Sequence, residues 1–383
     1  MSECGVKEFK LRELLKIYNG TKYDHLNKGD IPLYGSGGLM SHVNEALYSG
    51  EAILLPRKGT LSNIMYVNES FWTVDTMYYA VVNDKLADAF YLYSYLSQLD
   101  LSNLDSGSTL PSMTKSAYES IIVKLPDLKI QKVVANFLCN IRKKMEINNQ
   151  INQELEAMAK TLYDYWFVQF DFPDQNGNPY KSSGGKMVYN PELKREIPEG
   201  WGVSNLFDAA EVQYGYPFST DYFNSTGEGV PVIRIRDILG NDITNYSTEE
   251  VEDKYRINVG DVLIGMDGNF HMNYWIKENC YLNQRVVKVN SDKLPNMVLK
   301  YQIEPFIKLR EKSVSRTTVG HLSDKDLKAI NVILPKDKCL SSIFEKFESI
   351  LENIIINQQQ NQELTQLRDW LLPMLMNGQV KVE

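Results

Sequence analysis

The sequence predicts an α+β chain in which two β-rich domains are each followed by a long helix, and the two helices pair as an antiparallel coiled coil. The tetrapeptide Asn-Gln-Glu-Leu begins at Asn152 and again at Asn361, 209 positions later, each time inside a run of helical periodicity. A stretch of short β-type runs precedes each helix. The 383 residues also exceed the usual size of one domain, so a duplicated architecture fits the length.

The order of these segments predicts five regions along the chain. They are a first β-rich domain (1–125), a first long helix (126–170), a linker (171–195), a second β-rich domain (196–335) and a second long helix (336–383). Runs such as EAILLPRKG and GDVLIGMDGN are typical of short strands that end at Gly or Pro. The linker is assigned from its Gly, Ser, Asn and Pro content.

Apolar residues spaced by three and four indicate the face along which each helix packs. In the first helix they are Ile130, Val134, Phe137, Ile141, Ile151, Leu155, Met158, Leu162 and Tyr165, and in the second they are Ile343, Phe347, Ile350, Ile354, Leu364, Leu367 and Leu371. Each face extends over roughly 35 to 40 residues, or about 55 Å of helix. Two such faces pack most economically on each other, which predicts the antiparallel coiled coil.

Two asparagines occupy matching places in these helices, Asn148 in the first and Asn357 in the second. A buried asparagine in a helix seam fixes register at a cost in stability. The alternative is that both asparagines face solvent. Trp166 and Trp370 stand near the helix ends in what we take to be repeat positions, and we expect them in the core or in contact with a partner.

The composition, with 43% hydrophobic and 23% charged residues, is that of an ordinary globular protein. The N-terminal MSECGVKEFKLREL lacks the apolar core of a signal peptide, and no segment approaches the ~20 apolar residues of a spanning helix, so we expect a cytoplasmic protein. Cys4, Cys139, Cys280 and Cys339 form no C-x-x-C pair, which predicts structural thiols. Because the net charge is −8 and no segment is strongly basic, any nucleic-acid binding must use local basic clusters or partner subunits.

Several longer stretches resemble the specificity (S) subunit of type I restriction-modification enzymes. They are NGNPYKSSGGKMVYNPELKREIPEGW (176–201), NQELTQLRDWLLPMLMNGQV (361–380) and SGEAILLPRKGTLSNIMYVNESFWTVDTMYY (49–79), and the resemblance extends over essentially the whole chain. It implies a non-catalytic subunit that reads double-stranded DNA. The two β-rich regions would be target-recognition domains, each reading one half of a bipartite, asymmetric site.

The same resemblance implies partners and cofactors. The helices would form a spacer that docks two methyltransferase (M) subunits, which carry S-adenosylmethionine, while restriction (R) subunits that use ATP and Mg²⁺ join the complex; the chain itself would hold no cofactor. Two identical subunits would explain why the helices repeat, and two different DNA halves would explain why the β-rich domains diverge. Two alternatives stay open: the DNA-reading subunit of a related modification-only system, and a coiled-coil scaffold that binds proteins but no DNA.

Candidate DNA contacts in the first domain lie in three loops. The loop PRKGTLSN offers Arg57, Lys58, Thr60 and Asn63, since Arg can take guanine O6 and N7, and Asn can take adenine N6 and N7. The loop YGSGG with Ser36 has the form of a phosphate-binding nest, although an ordinary Gly-rich turn fits equally. The hydroxyl-rich loop SGSTLPSMT adds further phosphate contacts, namely Ser108, Thr109 and Ser112.

Candidates in the second domain stand in related positions. Arg234 and Arg236 alternate along a predicted strand and would share one face, with pairing to Asp237 or Asp261 as the rival interpretation. In MDGNFHMNYW, Asp267 can accept from cytosine N4 and Asn269 lies beside it, although an Asp-Gly turn explains the same residues. The remaining candidates for phosphate contact are Lys312, Arg316, Thr317, Thr318 and His321.

The basic run that begins at Lys300 and includes Lys308 and Arg310 would continue this phosphate contact, unless it is a solvated helix face paired with Glu304 and Glu311. For helix register and subunit docking the sequence predicts Asn148, Leu155, Leu162, Trp166, Asn357, Leu364, Leu371 and Trp370.

No catalytic or metal site is expected. The sequence lacks the Gly-rich cofactor turn and the Asn/Asp-Pro-Pro-aromatic motif of adenine methyltransferases, and it has no P-loop. Pro173-Asp174 with Glu192-Leu193-Lys194 only superficially resembles the Mg²⁺ site of a nuclease, because these residues lie in the linker. The four histidines show no ligand spacing.

Overall fold

A computed structural model describes residues 6–101, 111–240, 243–313, 320–335 and 340–380. The chain divides into two compact units, one formed by Met1–Met145 with Glu363–Glu383 and the other by Glu146–Gln362. Each unit therefore combines one β-rich domain with part of both long helices. The α+β prediction is confirmed: helix α4 (Leu128–Tyr163) and helix α8 (Ser341–Met376) are each 36 residues long and follow a β-rich region.

The first unit is built on a six-stranded sheet in the order β2-β7-β5-β6-β3-β4 and on a two-stranded sheet, β1-β8. The strands are β1 (Lys7–Lys10), β2 (Leu15–Asn19), β3 (Lys28–Gly35), β4 (Gly38–Val43), β5 (Tyr48–Pro56), β6 (Met65–Thr73), β7 (Met77–Val82) and β8 (Ile122–Leu125). All neighbours are antiparallel except β3 and β6. The helices before α4 are α1 (Leu11–Leu14), α2 (Ala89–Leu96) and α3 (Lys115–Ser120).

The second unit has a four-stranded sheet in the order β12-β20-β17-β18, a five-stranded sheet in the order β13-β15-β14-β19-β16, and the pairs β9-β10 and β11-β21. Its strands are β9 (Met187–Asn190), β10 (Arg195–Pro198), β11 (Gly202–Asn205), β12 (Glu211–Tyr214), β13 (Phe223–Asn224), β14 (Val230–Ile233), β15 (Tyr246–Ser247), β16 (Arg256–Ile257), β17 (Val262–Gly265), β18 (Met272–Tyr274), β19 (Cys280–Leu282), β20 (Val286–Asn290) and β21 (Asn331–Leu334). The helices before α8 are α5 (Leu206–Ala209), α6 (Asn296–Ser313) and α7 (Asp324–Lys328).

The offset of 209 positions seen in the sequence recurs in the structure. It relates the starts of β7 and β20, of α3 and α7, and of β8 and β21. The helix caps repeat as well, because the Thr114 hydroxyl accepts from the Ala117 amide and the Ser323 hydroxyl from the Asp326 amide. The two domains differ mainly between β2 and β5 and between β12 and β17, where the first folds a β3-β4 hairpin and the second folds most of the five-stranded sheet.

The segment assigned as a linker is packed into the second unit. The ring of Phe172 stacks between Tyr180 and Trp201, with centroids 4.7 and 4.9 Å away. Asp171 accepts from the Ser182 amide and hydroxyl at 2.7 and 2.6 Å, and these hydrogen bonds lower the pKa of that carboxyl group. The Gly and Ser residues of this segment therefore lie in turns beside an aromatic cluster and a β9-β10 hairpin.

The helices pair antiparallel, as their contacts show. In the second unit, Asn148 meets Asn361, Asn152 meets Asn357, and the ring of Trp166 meets Phe347, so the numbers fall along one helix as they rise along the other. In the first unit, the Thr365 hydroxyl donates to the Met145 sulfur at 3.9 Å. The predicted antiparallel pairing is confirmed.

Asn148 is completely buried and donates its Nδ2 to Asn361 Oδ1 at 2.9 Å. Asn357 donates its Nδ2 to Asn152 Oδ1, also at 2.9 Å. Asn148 and Asn357 are 209 positions apart, and so are Asn152 and Asn361. The second pair therefore repeats the first, with the donor on α8 in place of α4. The asparagines are therefore seam residues, and the solvent-facing alternative is wrong for Asn148.

The predicted packing face of α4 was only partly right. Val134 and Ile141 are buried and Leu155 and Leu162 are partly buried, whereas Ile130, Ile151, Met158 and Tyr165 are exposed. The inward positions, spaced alternately by three and four, are Gln131, Val134, Leu138, Ile141, Met145, Asn148, Asn152, Leu155, Ala159, Leu162 and Trp166. Because polar Gln131 and Asn152 and small Ala159 occupy this heptad face, the pattern of large apolar residues indicates flanking positions instead.

The two tryptophans do not stand in repeat positions. Trp166 lies in a π-helical turn (Asp164–Val168) and is buried against Phe347, whereas Trp370 is 66% exposed on α8. The 209 offset pairs Trp166 with the buried Leu375 and pairs Trp370 with Thr161. Leu364 and Leu371, the counterparts of Leu155 and Leu162, are partly buried.

Within the described residues, no helix has both the length and the hydropathy needed to cross a membrane.

We expect Asn148→Asp to lower the free energy of unfolding by about 3 kcal/mol, because it would bury a carboxylate where the Asn148 Nδ2 now faces three acceptors, Asn357 O, Gln360 Oε1 and Asn361 Oδ1. Urea unfolding followed by circular dichroism measures the change. Gln150→Glu, the same amide-to-acid change at an exposed position of the helix, is the control and should change the free energy by less than about 0.5 kcal/mol. Equal losses in both variants would contradict the buried seam.

Candidate nucleic-acid interface

In the first domain, the loop after β5 is fixed by its backbone. The Met113 amide donates to the Arg57 carbonyl and the Gly59 amide to the Pro111 carbonyl, both at 2.9 Å, so Lys58 and Ser112 form an isolated β-bridge. Gly59 has a φ of +91°, a conformation that favours glycine. We call this arrangement, residues 57–59 with 111–113, the first loop frame.

The side chains around the first loop frame include most of those predicted in this domain. Asn63 Nδ2 donates to the Ser36 carbonyl at 2.8 Å, and a Cβ on Gly59 would lie 3.0 Å from Ser36 Oγ, so the Ser36 turn packs against the loop. Arg57, Lys58 and Thr60 are exposed. Ser36, Asn63 and Ser112 are partly exposed beside them, while Ser108 and Thr109 lie outside the described residues.

Arg57 is held in place at the base of this loop. Its Nη1 donates to the Asp75 carbonyl at 3.4 Å, and its guanidinium lies 6.0 Å from the centre of the Tyr78 ring. Beside the loop is a cleft of about 400 Å³ lined by Gly59, Thr60, Leu61, Ser62, Leu99, Asp100, Leu101 and Pro111. The first domain thus presents cationic and hydroxyl side chains next to a concave surface.

The second domain repeats this frame at the 209 offset. The Leu322 amide donates to the Met266 carbonyl at 2.8 Å and the Gly268 amide to the Gly320 carbonyl at 2.9 Å, so Asp267 and His321 form the matching bridge. Gly268 has a φ of +73°, and its counterpart Gly59 likewise has a positive φ. We call residues 266–268 with 320–322 the second loop frame.

The second loop frame carries a charged cluster that the first lacks. His321 Nδ1 lies 2.7 Å from Asp267 Oδ1, and Arg285 Nε lies 3.4 Å from Asp267 Oδ2. Both carboxylate oxygens of Asp267 are therefore engaged within the protein. Asn269 is exposed on the same loop, and its carbonyl accepts from the His271 amide.

Arg285 was not predicted from the sequence. It is a lone arginine in YLNQRVV and carries no motif, and it reaches Asp267 only because β20, which it precedes, pairs with β17, which ends two residues before Asp267. Its carbonyl accepts from the Met266 amide at 3.0 Å, just as the Thr76 carbonyl accepts from the Arg57 amide in the first domain at 2.8 Å. The 209 offset between Thr76 and Arg285 is the signal that could have identified this position.

The predicted strand placement of Arg234 and Arg236 was wrong. Strand β14 ends at Ile233, and Arg236 lies in a 3₁₀ turn (Ile235–Asp237) that begins after Arg234. The turn forms because the buried Asp237 carboxylate accepts from the Arg234 amide at 2.9 Å and attracts both guanidinium groups, with Nε to oxygen distances of 3.8 Å. The rival interpretation, pairing with Asp237, is the arrangement observed.

The basic run on α6 is largely engaged in intramolecular contacts. Lys308 pairs with Glu304 at 2.6 Å and Arg310 with Asp326 at 3.2 Å. Lys300 lies 4.9 Å from the centre of the Tyr274 ring, and burial lowers the pKa of its ammonium group. Lys312 is exposed at the end of the helix, and Arg316, Thr317 and Thr318 lie outside the described residues.

Within the described part of the chain, no three His, Cys, Asp or Glu side chains come together as metal ligands. Cys139 and Cys280 are free thiols, and burial raises the pKa of Cys280 to about 11, which makes it a structural rather than a reactive group. Cys4 and Cys339 lie outside the described residues. The chemistry that the loop frames offer is recognition through hydrogen bonds and charge.

Known proteins resemble the chain in both sequence and fold. The specificity subunit of the type I restriction enzyme MjaIX from Methanocaldococcus jannaschii is 26% identical over 297 residues, which cover 74% of this chain and 66% of the relative. The specificity subunit of the type I restriction enzyme EcoBI from Escherichia coli is 28% identical over 173 residues, covering 45% and 36%. The chain therefore spans less than two thirds of the length of these two relatives.

The crystal structure of a type I restriction-modification S subunit from M. genitalium has the same fold, with a TM-score of 0.64 at 14% identity and coverage of 98% of this chain and 97% of that one. The family model for the type I restriction-modification DNA specificity domain matches residues 3–157 and 198–366, one segment in each half of the repeat. Since those two segments make up most of the sequence, the chain belongs to the type I restriction-modification specificity subunit family.

Proposed function

We propose that this chain is the DNA-reading subunit of a type I restriction-modification enzyme and that its two domains read the two halves of a bipartite, asymmetric site. The observation that carries the proposal is the pair of loop frames. They share backbone hydrogen bonds at a constant offset, yet the bridged residues are Lys58 and Ser112 in one and Asp267 and His321 in the other. A frame that is kept while its side chains differ suits two readers of different base sequences.

In the first domain, the exposed Arg57, Lys58 and Thr60 would contact DNA, with Ser112 and the Ser36 turn on phosphates. Asn63 already donates its amide to the Ser36 carbonyl, so it would support the loop more than read adenine. Ser108 and Thr109 remain proposed phosphate contacts. The carbonyl of Asp75 and the ring of Tyr78 orient Arg57, which lowers the entropy lost on binding.

In the second domain, Asn269 and Lys312 are exposed and would contact DNA, together with the proposed Arg316, Thr317 and Thr318. The sequence suggested that Asp267 accepts a hydrogen bond from cytosine. We propose that it does not, because both of its carboxylate oxygens are already engaged within the protein. Arg234 and Arg236 would act on phosphates only through guanidinium edges that Asp237 and Thr244 leave free.

The long helices would dock two methyltransferase subunits. In the second unit, Ile147 and Ile356 are 49% and 41% exposed and stand 209 positions apart, so the same apolar side chain recurs on both helices. Met158 and Leu367 form a second exposed pair at the same offset. Repeated exposed apolar residues suit two copies of one partner.

Methylation would take place on those subunits, which carry S-adenosylmethionine, and restriction would take place on further subunits that use ATP and Mg²⁺. This chain would contribute no catalytic residue and would work in the cytoplasm. Its net charge of −8 favours DNA binding by the assembled complex over binding by the isolated chain. A modification-only system would use the same reading and docking surfaces.

Co-expression of the chain with its methyltransferase subunit, in a host without adenine methylation, tests the proposal directly. Single-molecule sequencing should reveal methyladenine in one bipartite motif with a fixed unspecified gap, on both strands. A complex that assembles and binds its cofactor but shows no sequence preference would favour the scaffold alternative.

The double variant Arg57→Glu/Lys58→Glu should reduce methylation about tenfold or more and relax the half-site read by the first domain, because it places negative charge toward phosphates and base edges. The same motif mapping measures this effect. The half-site read by the second domain should stay recognisable. Equal loss of preference in both halves would contradict the assignment of one half to each domain.

Ile147→Glu and Ile356→Glu should each weaken the docking of one methyltransferase subunit about tenfold or more, because each places a charge in an apolar contact. Native mass spectrometry should then show complexes with one methyltransferase in place of two. Gln153→Glu, at an exposed polar position of the same helix, is the control and should keep both. Full occupancy in both isoleucine variants would place the docking surface elsewhere.

A further inference from the structure

We propose that Arg285 reads a guanine in the half-site of the second domain and that Asp267, held by His321, positions it for this contact. The inference rests on the proposed function and assigns a specificity-determining residue within it. No motif in the sequence marks Arg285. Its role follows from three contacts at the second loop frame and from the contrast with the first.

The carboxylate of Asp267 is fixed from several sides. The backbone of Asp267 lies in the β-bridge to His321, and the neighbouring Gly268 amide donates to the Gly320 carbonyl at 2.9 Å. Because a carboxylate only accepts, the His321 Nδ1 that lies 2.7 Å from Asp267 Oδ1 carries the proton. Oδ1 is thus occupied, and Oδ2 faces Arg285.

Arg285 is anchored at its base and free at its tip. Its carbonyl accepts from the Met266 amide at 3.0 Å, and the next residue begins β20, whose first four residues are buried. The ion pair to Asp267 involves Nε at 3.4 Å, and the side chain is 55% exposed. Among the residues that the structure describes, its two terminal nitrogens have no hydrogen-bond partner.

That geometry suits guanine. The two terminal nitrogens of an arginine match the spacing of guanine O6 and N7, which is the commonest specific contact in the major groove. The ion pair at Nε leaves the two terminal nitrogens free and restrains the side chain, so less side-chain freedom is lost on binding. A lone exposed arginine without such a partner would suit a phosphate equally well.

The first loop frame supports this assignment by contrast. The counterparts of Asp267, Arg285 and His321 are Lys58, Thr76 and Ser112, so the charged triplet is absent there. The first domain presents its cations at Arg57 and Lys58, which precede Gly59, whereas the second has Met266 and Asp267 at those positions. In the second frame the cation, Arg285, instead stands just before the adjacent strand β20 and forms an ion pair with the Asp267 carboxylate.

The test maps methyladenine motifs for complexes that contain the wild-type chain, Arg285→Lys, Arg285→Gln or Asp267→Asn. Arg285→Lys keeps the charge but loses the two-pronged contact. We expect both Arg285 variants to lose about 10- to 100-fold of the preference for one G·C pair in the second half-site. Asp267→Asn should relax the same pair less strongly, and the first half-site should be unchanged in all three.

Arg256→Lys is the matched control, because Arg256 is an exposed arginine of the same unit that contacts Asn279 instead of the second loop frame. It should keep the wild-type motif, and a shared motif change would overturn the inference. Thermal melts of all variants are compared first, since a general loss of folding would lower methylation at every site and not at one base pair.

Two results would each contradict one part of the inference. If Arg285→Lys keeps the motif and Arg285→Gln weakens binding to every sequence, with a salt slope lower by about one, the residue contacts a phosphate and the guanine assignment fails. If Asp267→Asn keeps full preference while both Arg285 variants lose it, Asp267 does not position the arginine.

A wild-type complex without any bipartite motif would overturn the proposed function itself, whereas an intact motif in both Arg285 variants would overturn only this inference.

Discussion

The contact between α4 and α8 at their asparagines is the constraint on which the duplicated architecture depends. The hydrogen bond from Asn148 to Asn361 and the one from Asn357 to Asn152 are images of each other under an exchange of the two helices. A slip of one helical turn, about 5.4 Å, would separate both pairs and leave buried amides without partners. Leucines in their place would stabilise several registers at once, and the asparagines select one.

The same duplication is visible in the loop frames, and it separates what is repeated from what is not. Backbone hydrogen bonds, helix caps and the last strand of each domain recur at a constant offset, whereas the side chains at the bridged positions differ in charge and size. The segments before β5 and β17 differ in topology as well. The repetition is therefore strong in the main chain of the loop frames, and weak in the side chains that the frames carry and in the segments before β5 and β17.

The sequence was sufficient to predict the architecture, because two helical faces of roughly 35 to 40 residues with a shared tetrapeptide leave few other arrangements. It failed in the details of the seam, since Asn152 and Ala159 pack inward although neither is a large apolar residue, while Ile151 and Met158 beside them are exposed. Periodicity reports where apolar residues recur, and a seam that uses polar residues for register departs from that rule. The strand predicted at Arg234 and Arg236 does not form, because the Asp237 carboxylate accepts from the Arg234 amide and closes a turn there.

The candidate interface could be predicted as a set of loops but not as a set of contacts. Arg57, Lys58 and Gly59 were identifiable because they are adjacent in the sequence and Gly allows a positive φ. The triplet of Asp267, Arg285 and His321 was not, because its members come from three separate segments that only strand pairing and a β-bridge bring together. Interactions of this kind depend on tertiary structure and leave no local pattern.

The loop frames also bear on how such a protein can change over generations. Their geometry is maintained by main-chain amides and carbonyls and by a glycine at 59 or 268, so it is largely indifferent to which side chains stand at 58, 76 and 112 or at 267, 285 and 321. A single codon change at one of these positions can therefore alter the chemistry presented to a ligand without requiring the domain to refold. The main-chain frame can therefore stay the same while the side chains at these positions change. New binding preferences can then arise one substitution at a time in a protein that still folds.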